Sequence, residues 1–202
     1  VQDRDQEITL AIENEYIMSP KDLCTLPFLD KVLDAGVKIL KIEGRGRSPE
    51  YTKVTVGVYS EAVKALQNGE FTEKKVAEWT ERLRSVYNRD FWDGYYLGRK
   101  TGEWTQRYGS QATKTKIFVG TVTNFFAKIN VAEIRMETQD LKVGDDIMII
   151  GPTTGVYEDK LSEIRVDLKP VEATEKGELC SIPVKDVIRR GDKVYKVIDA
   201  EI

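Results

Sequence analysis

Val37-Lys38-Ile39-Leu40-Lys41-Ile42-Glu43-Gly44-Arg45, residues 37–45, is the stretch on which the reading of the fold turns. Branched apolar residues fill 37–42, and Gly36 and Gly44 bound them, which predicts a short buried strand. Upstream, Ser19-Pro20-Lys21-Asp22 has the form of a helix start, with Ser19 as cap, Pro20 at the first helical position and Asp22 at the positive end of the dipole. Leu23, Leu26, Leu29 (or Phe28), Val32 and Leu33 follow at helical spacing, Pro27 is a local break, and Gly36 is the left-handed residue that closes the helix. Downstream, Ser48-Pro49-Glu50 opens a second helix whose apolar stripe is Tyr51, Val54, Val58, Ala62 and Ala65. A third helix is predicted over 73–87, with Val76, Trp79, Leu83 and Val86 on one face.

Residues 1–15 read as a short strand or an incoming loop, so the order is strand, helix, strand, loop, helix, the grammar of a parallel sheet. Parallel strands need cover on both faces, and two of them make no stable sheet alone. Either the chain belongs to a longer one or another chain completes it, and the missing initiating Met favours the first. Active-site groups in such folds gather at the C-terminal ends of strands. That puts Glu43, Arg45 and residues 18–22 at the functional rim.

Residues 89–112 are aromatic and glycine-rich and follow neither period. They read as a linker in which Phe91, Trp92, Tyr95, Tyr96 and Trp104 seal one module against the next, or else form a stacking platform for bases. From Thr113 the grammar changes. Ile117–Thr123, Val131–Glu137, Asp146–Ile150, Glu163–Val166, Glu178–Val184 and Lys193–Ile198 read as short strands with turn signals between them, which argues for a closed antiparallel barrel. The expected fold class is therefore α/β plus all-β, divided as 1–88, a linker at 89–112, and a small β-barrel at 113–202.

Composition limits the chemistry. The chain has no histidine, which removes Ser-His-Asp and Cys-His arrangements and His-containing zinc sites. Its two cysteines, Cys24 and Cys180, are far apart and in apolar settings, so no disulfide framework is expected and a reducing, cytoplasmic compartment fits. No apolar run reaches membrane-spanning length, and no membrane partner is expected. Residues 1–112 carry 17 Lys and Arg against 18 Asp and Glu, and residues 113–202 carry 14 against 16. Neither part is a basic nucleic-acid clamp; Lys38, Lys41, Arg45 and Arg47 are either a local basic patch or ordinary solvated surface.

Lys41, Glu43 and Arg45 are the catalytic candidates. Lys41 and Glu43 share a parity on the predicted strand, and a lysine beside a carboxylate in a partly dry site can bind an anion or move protons. Arg45 offers a planar fork for carboxylate or phosphate, and a structural ion pair is the alternative. Cys24, on the first turn of the predicted helix, is either a thiolate poised by the helix terminus or a small buried apolar residue. Cys180 reads as packing.

The words Tyr16-Ile17-Met18-Ser19-Pro20-Lys21-Asp22-Leu23-Cys24, Gly36-Val37, Lys41-Ile42-Glu43-Gly44-Arg45 and Tyr51, in this order and spacing, resemble the collagenase-like peptidase family U32. Phe91-Trp92-Asp93-Gly94-Tyr95-Tyr96 and the later strands, with Gly144-Asp145 and Gly191-Asp192 turns, resemble that family's C-terminal extension, itself similar to the second-domain β-barrel of translation elongation factors. The resemblance implies that residues ~15–66 are the last two βα units of a modified (βα)8 TIM-like barrel, its upstream part missing from this chain. It implies either peptidase activity or oxygen-independent hydroxylation of RNA, the latter preferred, with RNA or a peptide as partner. Lys21, Asp22 and Tyr51 become candidates for substrate binding. Cys24 would match one ligand of an iron–sulfur cluster in the full-length protein, a site incomplete in this chain; the fragment alone is expected to be inactive. A non-catalytic binding module is the remaining reading.

Overall fold

A computed structural model describes residues 19–99 and 102–201. The reading of residues 1–15 as strand or loop, and of Tyr16–Met18 before the first helix, falls outside the described residues. The chain divides into two compact units: one holds the described residues up to 45 together with 54–112, the other holds 46–53 and 113–201.

In the first unit the predicted helix from Ser19 does not form. Its backbone donors are spent sideways: Lys21 N–H donates to Glu103 O (3.0 Å), Asp22 N–H to Asp90 O (2.8 Å) and Cys24 N–H to Trp92 O (2.9 Å). Pro20 bridges Trp104, and β1 (Asp22–Leu23) pairs in parallel with β2 (Phe91–Trp92). Helical geometry starts only where Pro27 is tolerated, in a 3-10 turn (Leu26–Phe28) that leads into α1 (Leu29–Asp34). Gly36, at φ +90°, ends it as a glycine at that place predicts.

The predicted buried strand 37–42 is also corrected. Residues 37–44 have no regular structure, and Ile39 is 85% exposed. A buried strand needs hydrogen-bonding neighbours, and no described strand pairs with this segment. The two later helices match their apolar spacing. They are α2 (Pro49–Gln67), which buries Val58, Ala62 and Ala65, and α3 (Glu73–Arg84), which buries Trp79 and Leu83. Thr72 caps α3 by accepting the Lys75 N–H at 3.3 Å. These side chains form one core with Cys24, Leu26 and Leu29. Phe91 packs against it, whereas Tyr95 and Tyr96 remain exposed.

The second unit is one eight-stranded antiparallel sheet, in the order β6-β5-β10-β3-β4-β9-β7-β8. Its strands are β3 (Lys114–Phe126), β4 (Val131–Met136), β5 (Asp146–Gly151), β6 (Gly155–Lys160), β7 (Ile164–Val166), β8 (Lys169–Val171), β9 (Leu179–Pro183) and β10 (Lys193–Asp199). Six of these were predicted. β6 and β8 escape a hydrophobicity reading because they are short hairpin returns, the first ending Glu158-Asp159-Lys160 and the second holding Pro170. Alternate residues, among them Val119, Val122, Ile134, Ile149, Ile164, Ile182 and Val194, line a single core. The outermost strands β6 and β8 are linked through residues 141–145 rather than to each other. Gly144 N–H donates to Leu161 O (2.7 Å), Val143 N–H to Glu172 O (2.9 Å), and Thr174 N–H to Leu141 O (2.9 Å).

Two turns hold the sheet's register. The buried Asp192 carboxylate accepts from the Thr154 hydroxyl (2.6 Å) and the Arg189 N–H (2.8 Å), which ties the β5–β6 turn to the turn before β10. A Cβ at Gly151 would collide with that carboxylate. The β7–β8 hairpin turns on Asp167 and Leu168, both at positive φ (49° and 65°), a conformation costly for a leucine that is also 84% exposed. Gly151→Ala is expected to destabilise the second unit by about 1–3 kcal/mol, the usual cost of forcing atoms into a packed site. Leu168→Gly is expected to stabilise it by about 0.5–1 kcal/mol through relief of the left-handed backbone. Urea midpoints followed by circular dichroism check both.

Candidate functional site

Lys41, Glu43 and Arg45 sit on the irregular segment 37–47, not at the end of a strand. The alternation that would have aimed Lys41 and Glu43 the same way is therefore absent, and all three side chains are exposed. Glu43 folds back on its own turn, Oε1 accepting the Arg45 N–H at 2.7 Å. Arg47 lies 5.4 Å over the Tyr51 ring, a stacking contact between a guanidinium and the first turn of α2. The segment carries Lys38, Lys41, Arg45 and Arg47 against the one carboxylate of Glu43. It can attract an anion.

Lys21 and Asp22 are placed differently from Lys41. Lys21 Nζ lies 3.0 Å from Asp90 and 3.1 Å from Glu103. Burial pulls its pKa down, but the hydrogen bonds and charges of Asp90 and Glu103 outweigh it and hold the ammonium above its ordinary range. Burial likewise pushes Asp90 up, and the Phe91 N–H, Lys21 and Arg84 more than reverse it, leaving Asp90 below the usual carboxylate range. Asp22 accepts the Arg89 N–H (2.9 Å) and its guanidinium (3.3 Å). These contacts reinforce the backbone bonds that hold residues 20–24 against 89–103. Both residues work as fasteners of that junction.

Cys24 is not on a helix terminus. It follows β1, is 6% exposed, and burial raises its thiol pKa, which opposes a reactive thiolate. Its sulfur lies 3.9 Å from the Tyr59 hydroxyl, which also accepts the Thr25 N–H at 3.1 Å. Burial and the neighbouring Cys24 push Tyr59 well above the ordinary phenol range. Tyr59 had no sequence signal beyond lying next to Val58 of the apolar stripe. An iron–sulfur cluster needs several thiolates. Among the described residues no three His, Cys, Asp or Glu side chains gather in a ligating group, and Cys180 belongs to the other unit. By themselves the described residues of this chain do not fit a cluster.

The Lys21–Asp90 pair has a definite pH signature. A lowered carboxylate stabilises above its ordinary value of 3.8 and loses that contribution as pH falls through the folded value. A raised ammonium stabilises below its ordinary value of 10.5 and loses it as pH rises through the folded value. Lys21→Met is expected to cost about 1 kcal/mol at neutral pH, as for a half-buried pair, with the deficit shrinking in acid as Asp90 protonates in the parent. Urea unfolding at pH 7 and pH 3 checks it.

The family model described as Peptidase family U32 matches residues 1–106. A protein named Collagenase from Porphyromonas gingivalis is 51% identical over 196 residues, 97% of this chain and 47% of that protein. A protein named tRNA hydroxylation protein P1 from Bacillus subtilis is 33% identical over 140 residues, 68% of this chain and 32% of that protein. The C-terminal domain of a Geobacillus thermoleovorans protein described as a U32 peptidase aligns with a TM-score of 0.38 at 16% identity, over 39% of this chain and 90% of that one. The chain thus spans about half the length, or less, of the curated relatives it matches. Among the described residues no helix is long and apolar enough to cross a membrane. With the family model covering more than half of its length, the chain belongs to peptidase family U32.

Proposed function

We propose that this chain is the C-terminal part of a cytoplasmic U32-family protein that acts on RNA, in an oxygen-independent hydroxylation of tRNA. The observation that carries the reading is the basic segment 37–47, in which Lys38, Lys41 and Arg45 are exposed, on a chain that has no histidine for the usual peptidase arrangements. The 33% identity to a relative named for tRNA hydroxylation supports it. In the whole protein, residues 37–42 serve as a strand of a (βα)8 barrel. Val37 and Ile39, exposed in the chain by itself, are the apolar positions that neighbouring strands would cover. Lys41 and Arg45 then stand at the barrel's mouth and hold the phosphate or carboxylate groups of the substrates. The second unit, as a translation-factor-like barrel, engages the RNA. This chain alone carries no complete catalytic site.

The second reading is a true peptidase. The 51% identity to a relative named Collagenase favours it, and on that reading the same cations hold a peptide's carboxylates. Mass spectrometry of tRNA and rRNA nucleosides from a deletion strain separates the two. On the RNA reading one hydroxylated nucleoside disappears, and the full-length Lys41→Ala/Arg45→Ala protein restores it at least about tenfold less well than the parent, the loss of two charge-assisted contacts. An unchanged nucleoside set, together with gelatin cleavage by the purified full-length protein that the double variant loses, would establish the peptidase.

A further inference from the structure

The cations of the second unit are of two kinds. Lys53, Lys114, Lys116, Lys142, Arg165, Lys185 and Lys196 each have a carboxylate within ion-pair distance. Arg135, Lys193, Arg189 and Arg190, like Lys128, Lys160, Lys169 and Lys176, are exposed and, among the described residues, have no such partner. The sheet brings Arg135 and Lys193 together. Lys193 of β10 is the cross-strand partner of Thr121 on β3, and Thr121 is the partner of Arg135 on β4, so the three form one row across three adjacent strands. Lys193 Nζ donates to the Thr121 hydroxyl (3.0 Å) and stands 5.4 Å over the Phe118 ring. Phe118 meets Tyr195 edge-on at 5.8 Å, so one aromatic pair borders the row. Arg189 and Arg190 are in the turn just before β10, anchored by the Gly191 N–H on Val122 O (2.9 Å) and by Arg189 on the Thr154 hydroxyl (3.2 Å).

Three carboxylates lie near the row, and none of them is within ion-pair distance of Arg135 or Lys193. Asp192 is buried beneath it and already accepts from Thr154 and the Arg189 N–H. Glu133 flanks Arg135 two residues away on β4 and accepts the Thr123 hydroxyl at 2.6 Å, and Glu137 lies on its other side, neither within ion-pair distance of Arg135. Unpaired cations in a row, hydroxyls between them and rings at the border are the features of a surface that follows a phosphodiester backbone and stacks its bases. Unneutralised charge there is repulsive in the free protein and is relieved when phosphates displace counterions.

We infer that the row Arg135–Thr121–Lys193, with Arg189 and Arg190 at its end and Phe118 beside it, is a contact strip for single-stranded RNA. The choice of RNA as ligand rests on the function proposed above. The strip itself rests on the charge and ring placement.

The test is the affinity of the 202-residue chain for a fluorescein-labelled 12-nucleotide oligouridylate, measured by anisotropy at several salt concentrations. Arg135→Glu/Lys193→Glu is expected to weaken binding at least about tenfold and to flatten the log–log salt dependence by about 1.4, the single-strand value for two phosphate contacts. Phe118→Leu is expected to weaken it about tenfold while leaving the salt slope unchanged, because it removes a stack and no charge. Arg135→Lys/Lys193→Arg, with charge kept, should bind as the parent does, which together with an unaltered circular dichroism spectrum separates lost contact from lost fold. Lys128→Glu/Lys176→Glu makes the same charge change at two other turns and should leave affinity within about twofold. The inference is overturned if the chain does not bind the oligonucleotide or if Arg135→Glu/Lys193→Glu binds as the parent does. It is equally overturned if the Lys128/Lys176 control loses as much, or if heat-denatured collagen displaces the RNA from the strip. An unchanged nucleoside set in the deletion strain would sink the hydroxylation while a strip-dependent RNA affinity still stood. Loss of a nucleoside that the Arg135→Glu/Lys193→Glu protein restores fully would sink the strip and leave the hydroxylation.

Discussion

Each buried backbone N–H and C=O has to find a partner, and where those partners lie governs the rest of this chain. Residues 19–24 find theirs on 89–105, so they run extended and Cys24 is buried behind them. Residues 37–44 find none among the described strands, so a sequence built for burial lies open. In the second unit the same requirement is met nearly in full within the sheet, with residues 141–145 supplying the bonds that the strands at its two ends do not give each other.

Pairing of charge follows from that backbone arrangement. Lys21 and Asp22 stand where two strand segments meet, and Asp90, Glu103 and Arg89 are brought to them by the chain's return, so their charge is consumed in holding the junction. Lys41 and Arg45 lie on a segment with no pairing strand and are exposed to solvent or a ligand. The contrast between fastened and unfastened cations recurs in the second unit, where Lys116 and Lys196 are taken by Glu50 and Asp145 while Arg135 and Lys193 are not. Half-buried pairs of the first sort resist substitution because breaking one strands the other charge. Exposed charges of the second sort have little structural role and are the ones a ligand can use.

The candidate residues were legible by type and not by setting. A lysine, a glutamate and an arginine around two glycines pointed to anion chemistry. Yet nothing in Lys21-Asp22 distinguished it from Lys41 as a group already engaged, since Asp90 and Glu103 are about seventy and eighty residues away. Arg135 and Lys193 escaped for the same reason. Their adjacency exists only through β3, in a register shifted by bulges at Val194/Tyr195 and between Val122 and Asn124.

By itself the sequence determined what local chemistry can determine: helices α2 and α3 from three-four spacing, with a Ser-Pro start for α2, the end of α1 from Gly36, and six of the eight strands of the sheet from alternation and turn residues. Tertiary structure decided whether an apolar run becomes a strand, which cations are neutralised, and whether Cys24 is a reactive thiol or a buried one. Those outcomes depend on hydrogen-bond and charge partners distant in sequence, and periodicity along a chain carries no record of what the chain will meet when it folds.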